Sequence, residues 1–220
     1  MFLNKLLIYL KSFLLQQENM LTAILATKLL RSIVSDYNFW PESESDSPLK
    51  IATAKTALTN EAILARDASM RRAALKAVDP SLTGYRAPVR EVQTCGLQEC
   101  FAPHIQGAIA ELNAVSNSMG SVESMLMPAQ KVEFLVQLQS AFNQLINPRV
   151  IKITDIAQPA VPEILAQPAI PATATSPAIP AVKAKPAMPA IPADPYTGFM
   201  IIGETTDGQT VIAQALLVQT

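Results

Sequence analysis

The chain has 220 residues, enough for one or two domains with a normal core. Half of them are hydrophobic and only 16% are charged, well below the roughly 25% of an ordinary soluble domain, so a monomer would leave much apolar surface uncovered. A net charge of -1 gives no basic footprint for displacing counterions from phosphates; nucleic acid is excluded as an expected partner, and extensive subunit contacts are favoured.

The opening MFLNKLLIYLKSFLLQQEN is strongly apolar, but Lys5 and Lys11 interrupt it. Neither a secretory apolar region nor a spanning helix of about 20 apolar residues fits. Leu3, Leu7, Leu10, Leu14, Leu21 and Ile24 keep heptad a/d spacing, which predicts a helix over 2–35 that buries against a partner. Two other readings stand beside it: an interfacial membrane helix, and a true start at Met20 that would remove much of the apolar excess.

Asp36 to Ser47, with Phe39-Trp40-Pro41 and the acidic run Glu42-Ser-Glu44-Ser-Asp46, reads as a loop in which Phe39 and Trp40 anchor the core. Ser47-Pro48 has the chemistry of a helix start, because the Ser side chain caps a free N–H and Pro at the first position loses no hydrogen bond. A helix over 48–78 follows, ended by Asp79-Pro80. Its small-residue face, Ala54, Ala57, Ala62, Ala65 and Ala68, admits close approach of a neighbouring helix. Arg66, Arg71, Arg72 and Lys76 gather on the same helix; a phosphate-binding face is the weaker reading and a solvated surface the stronger.

From Ser81 to Pro103 the breakers Gly84, Pro88, Gly96 and Pro103 predict a long irregular loop of the kind that is functional or interface-forming. Apolar residues at helical spacing then predict helices over 104–126 and 129–146, meeting at Met127-Pro128 as a kinked pair or an antiparallel hairpin. Beyond Pro148, Val150-Ile-Lys-Ile153 predicts a strand at 148–158. At 196–220, two apolar runs flank Asp207-Gly208, both of which tolerate positive φ, and so predict a β-hairpin. One hairpin and one short strand cannot make a core, so the hairpin is expected to be completed by other chains.

Between strand and hairpin lies the most regular stretch of the sequence. All ten prolines from Pro159 to Pro195 sit at positions divisible by three, and Pro159-Ala-Val-Pro162, Pro168-Ala-Ile-Pro171, Pro177-Ala-Ile-Pro180 and Pro186-Ala-Met-Pro189 mark a nonapeptide repeat. Three residues per turn is the period of polyproline II, so the prolines share one face, small residues a second, and Val161, Ile164, Ile170, Ile179, Val182, Met188 and Ile191 a third. A solvated linker does not need an aliphatic stripe, which favours an extended rod of about 3.1 Å per residue lying against protein. A flexible low-complexity linker and short pieces folded back at repeat boundaries are the other readings. The lack of Gly between Pro159 and Pro195 excludes collagen.

Candidate chemistry is sparse. His104 is the sole histidine and follows Cys95 and Cys100 in a C-x4-C-x3-H arrangement, one ligand short of a structural zinc site and wider than the usual pair spacing. A Cys–His nucleophile would need converging side chains and an orienting third group, for which the sequence has no signature. The cysteines themselves read equally as a short-loop disulfide or as two buried thiols. With no Gly-rich phosphate loop, nucleophile elbow or dinucleotide fingerprint, no catalytic, cofactor-binding or metal-binding residue is assigned, no cofactor or small-molecule substrate is expected, and an enzyme is not expected.

The whole reads as α+β: an N-terminal helical bundle over 1–147, a proline-rich arm over 159–195 and a terminal hairpin. In general character, carried by Pro159 to Pro195 and Gly198 to Thr220, it resembles virion structural proteins of tailed bacteriophages, in which helical modules bear arms that reach neighbouring subunits. That resemblance implies a non-enzymatic subunit of a neck, tail or baseplate, assembled in the host cytoplasm, whose partners are copies of itself and other structural proteins. Ile170, Ile179, Met188, Ile191, Phe199, Ile201, Val211 and Leu217 are the expected interface residues. A cell-envelope tether, with a membrane-associated first helix and a strand-adding C-terminus, is the alternative.

Overall fold

The computed structural model describes residues 21–38, 40–43, 48–81, 89–118, 122–169, 180–190 and 193–218. Residues 2–20 of the expected helix over 2–35, Phe39, and Ile170, Ile179 and Ile191 lie outside them. Among the described residues there are four helices, α1 (Ala23–Asp36), α2 (Asn60–Val78), α3 (Leu97–Asn117) and α4 (Val122–Asn143). Five strands accompany them: β1 (Lys50–Ala54), β2 (Arg90–Gly96), β3 (Ile146–Asp155), β4 (Tyr196–Glu204) and β5 (Thr210–Val218). The strands form one sheet in the order β1-β5-β4-β3-β2.

The terminal hairpin lies in the middle of this sheet. β4 and β5 pair antiparallel from Tyr196↔Val218 to Glu204↔Thr210, and Gly208 takes the positive φ of 76° that the turn requires. The expectation that other chains complete the hairpin is therefore corrected: β1 pairs with β5 (Ala52↔Ile212) and β3 with β4 (Val150↔Ile201), both from the same chain. β1 and β2 come from stretches read as helix and as loop. Lys-Ile-Ala-Thr-Ala is alanine-rich enough to pass for helix, yet Ile51 and Thr53 are β-branched and the ladder to β5 uses their backbone. The helix then starts later, where Thr59 accepts a hydrogen bond from the Ala62 N–H at 3.2 Å and acts as the N-cap.

Strand alternation sorts the core into two layers. On one face Val150, Phe199, Ile201, Val211, Ala213 and Leu217 pack with α1, α3 and α4. On the other, Ile151, Ile153, Met200, Ile202 and Ile212 pack with Ile63 of α2. The expected break at Met127-Pro128 is corrected: Pro128 lies inside α4 as Pro103 lies inside α3, and α3 ends at Asn117. These two helices form the antiparallel hairpin: Lys131 Nζ meets Glu111 Oε2 at 2.7 Å and Gln139 Nε2 donates to Gln98 Oε1 at 2.8 Å, partners that run in opposite directions. Turn and helix are also joined, since the Ala23 N–H at the start of α1 donates to Asp207 Oδ1 at 3.1 Å where Thr22 makes no side-chain cap.

α2 lies on the sheet through a buried ion pair. Asp67 and Arg71, one turn apart, are both fully buried; Arg71 Nε meets Asp67 Oδ1 and Oδ2 at 3.0 and 2.9 Å, and Nη2 donates to the Ile153 carbonyl at 2.8 Å. The expected solvated surface is thereby corrected at Arg71, which points into the sheet, while Arg66 reaches Gln214 and the Thr53 carbonyl. Space for the pair comes from Gly198, where an added Cβ would overlap Asp67 Oδ1 and come within 2.9 Å of its Cγ.

The chain divides into two compact units, the second made of Pro88–Glu91 and Asp155–Asp194. In it the single long rod is replaced by two extended runs folded antiparallel. Val161 and Met188 exchange both backbone hydrogen bonds at 2.9 Å, as do Ile164 with Lys185 and Gln167 with Val182 at 2.9–3.0 Å. Every bonded residue is the third of its triplet, because proline has no N–H and a three-residue turn brings only one edge of each run to its partner. At the base, the Ile156 N–H donates to the Val89 carbonyl and the Asp194 N–H to Asp155 Oδ2, each at 3.0 Å.

Gly198→Ala should lower the unfolding free energy by about 2–4 kcal/mol in urea titration, since it pries apart a buried ion pair. Replacing the pair by Asp67→Leu with Arg71→Met should change stability by only about 1 kcal/mol, and in that background the cost of Gly198→Ala should shrink. Equal cost in both backgrounds would refute the account of Gly198.

Candidate functional site

The expected interface residues separate into two groups. Phe199, Ile201, Val211 and Leu217 are fully buried in their own chain, covered by α1, α3 and α4, so the reading of these four as contacts between chains is corrected. Met188 stands on the proline hairpin with Val161, Ile164 and Val182, and these four keep 39–45% of their surface exposed.

A second constellation surrounds the cysteines. β2 runs directly into α3, with Gly96 as the helix N-cap, and Cys95 and Cys100 on either side of this junction are joined in a disulfide with Cα atoms 6.2 Å apart. His104 follows Cys100 by one helical turn and so shares its face of α3. Its ring packs edge-on against fully buried Trp40 at 5.1 Å between centroids, and Trp40 also contacts Phe101 at 5.2 Å and Phe199 at 4.3 Å. Trp40 thus fixes both the core and the imidazole.

The loop after Trp40 brings in Glu42, which sequence reasoning left in an acidic loop. His104 Nε2 lies 3.0 Å from Glu42 Oε1, and Lys152 Nζ lies 2.7 Å from the same oxygen. Lys152 interrupts the aliphatic pattern of β3 and pairs with Phe199 in register, which places it on the face covered by α3. A lysine on the helix-facing side of a strand was the one signal in the sequence for this contact. The hydrogen bond from His104 pulls the Glu42 carboxyl down to about 2, with Lys152 assisting and burial opposing.

Cys95, Cys100, His104, Glu42, Lys152 and Glu99 line a cavity of about 350 Å³. Glu42 orients His104, and Lys152 holds Glu42, while both cysteines are tied in the disulfide and carry no free thiol. Among the described residues no group of three or more His, Cys, Asp and Glu side chains is placed to hold a metal ion, and no helix is long and apolar enough to cross a membrane. No protein-family model matches the chain, and no curated protein matches it.

Because folding lowers the Glu42 pKa from 4.5 to about 2, its ionised form adds stability that is complete above pH 4.5 and is lost as the pH falls toward 2. The side chain keeps 23% exposure, so solvent screening reduces the gain to about 1 kcal/mol. Urea titrations at pH 5.5 should find Glu42→Gln weaker by that amount, and the difference should vanish near pH 2. A difference that persists at low pH would assign the effect to packing.

Proposed function

We propose that this chain is a non-enzymatic structural subunit of a large symmetric assembly, a virion component of neck, tail or baseplate type, in which the proline-rich hairpin contacts neighbouring subunits. The observation that carries this reading is the exposed aliphatic edge of the hairpin. Val161, Ile164, Val182 and Met188 are left 39–45% exposed on two runs whose described pairing is backbone hydrogen bonding. A spacer in water needs no such side chains, and protein contact would cover them. With Phe199, Ile201, Val211 and Leu217 occupied inside their own core, contact between chains falls to this second unit. The low charge of the whole chain supports the same reading.

The experiment is light scattering on the full chain and on the triple variant Val161→Ser, Val182→Ser, Met188→Ser. Serine keeps the backbone donors, so the hairpin ladder survives while the apolar edge is removed. The wild-type chain should form a defined oligomer. The variant should assemble roughly 50-fold more weakly, as about 2–3 kcal/mol of apolar burial would imply, with an unchanged urea midpoint. A wild-type chain that stays monomeric, or a variant that assembles as tightly, would sink the proposal.

A further inference from the structure

We propose that the Cys95–Cys100 disulfide is a thiol–disulfide exchange site that reacts with a low-molecular-weight thiol entering the adjoining cavity, with His104 as the proton-transfer group. This inference stands apart from the assembly proposal and uses none of the proline hairpin.

Three observations carry it. First, the disulfide spans a sequence separation of only five between elements already held by strand pairing and helix packing, and short loops are where a cross-link constrains the unfolded chain least. Second, both sulfur-bearing residues are only partly buried and form a wall of the cavity of about 350 Å³, so an attacking sulfur has a route to the bond. Third, the titratable side chains of that cavity are arranged for proton transfer. His104 is oriented by Glu42 at 3.0 Å, Glu42 is held by Lys152 at 2.7 Å, and Glu99 completes the charged lining. Glu42 engages Nε2, which leaves Nδ1 as the nitrogen that exchanges protons with an incoming thiol.

A thiol RSH gives its proton to His104, and the thiolate attacks the sulfur of Cys100, the cysteine one turn from that imidazole. The Cys95–Cys100 bond breaks, Cys100 carries the mixed disulfide, and the Cys95 thiolate leaves beside the free N–H groups that open α3, taking the proton back from His104. A second RSH, deprotonated in the same way, attacks the sulfur of R. RSSR departs, and Cys100 is released as a thiol. Two electrons pass from two thiols to the protein disulfide, and the reverse sequence reoxidises the dithiol with RSSR.

The test uses the full chain with glutathione as the probe, following the disulfide by intact-mass spectrometry. Millimolar reduced glutathione should open the bond in the folded protein, at a rate at least 10-fold faster than in His104→Gln, and the wild-type pH–rate profile should contain a limb that this variant lacks. Glu42→Gln should retain exchange with that limb displaced, a change that loss of packing alone would not produce. Treated with oxidised glutathione, Cys95→Ser should hold one glutathionyl group on Cys100. Circular dichroism would confirm that each variant is folded. A disulfide that resists glutathione until the chain unfolds, or a His104→Gln protein with the wild-type rate and profile, would overturn the proposal.

Discussion

From Thr197 to Gly203 no side chain of β4 is open to solvent, and the architecture follows from covering that strand on four sides. Phe199 and Ile201 require an apolar layer on one face, Met200 and Ile202 require one on the other, and the backbone on each edge requires a hydrogen-bonded neighbour. β5 and β3 satisfy the edges, α3, α4 and α1 cover one face, and α2 covers the other. A half-exposed antiparallel strand alternates polar and apolar residues; Gly-Phe-Met-Ile-Ile-Gly does not alternate, and that run is the sequence counterpart of burial on both faces.

The same constraint accounts for what was legible in the sequence. The β4–β5 hairpin and its Asp207-Gly208 turn could be read because turn chemistry is local, and the end of α2 could be read because Asp79-Pro80 is local too. β1 and β2 are short edge strands with few apolar side chains, and their identity comes from partners more than 50 residues away, as in Lys50↔Gln214. Asp67 and Arg71 look like surface charges because a helix wheel cannot show that Gly198, on another element, has left a recess for them. The site at His104 was legible to one-half: Cys95, Cys100 and His104 are close in sequence, whereas Glu42 and Lys152 arrive from a loop and a strand that only the fold brings near.

In the proline-rich unit the period was legible and the pairing was not. A three-residue repeat defines which edge carries the hydrogen-bonding groups, yet it is equally compatible with one long rod and with two antiparallel runs. The described register pairs Val161 with Met188, the corresponding residues of two repeats, and pairs Ile164 with Lys185 and Gln167 with Val182. A shift of nine residues would match equivalent repeat positions again. Register in such a ladder is weakly specified by its own sequence, as it is in strands that lack a distinct buried face.

That degeneracy bears on how the hairpin acts. Its backbone hydrogen bonds replace bonds to water and each contributes little net, while its aliphatic edge is only partly covered by the opposite run. Proline offsets part of the ordering cost, because φ is already restricted in the unfolded chain. The unit is therefore inexpensive to hold extended but gains little from its own packing. A surface that covers Val161, Ile164, Val182 and Met188 would supply the missing apolar burial and select one register among several. The main core has the opposite character: its central strands β4 and β5 are covered on both faces within one chain, so they have little to gain from a partner.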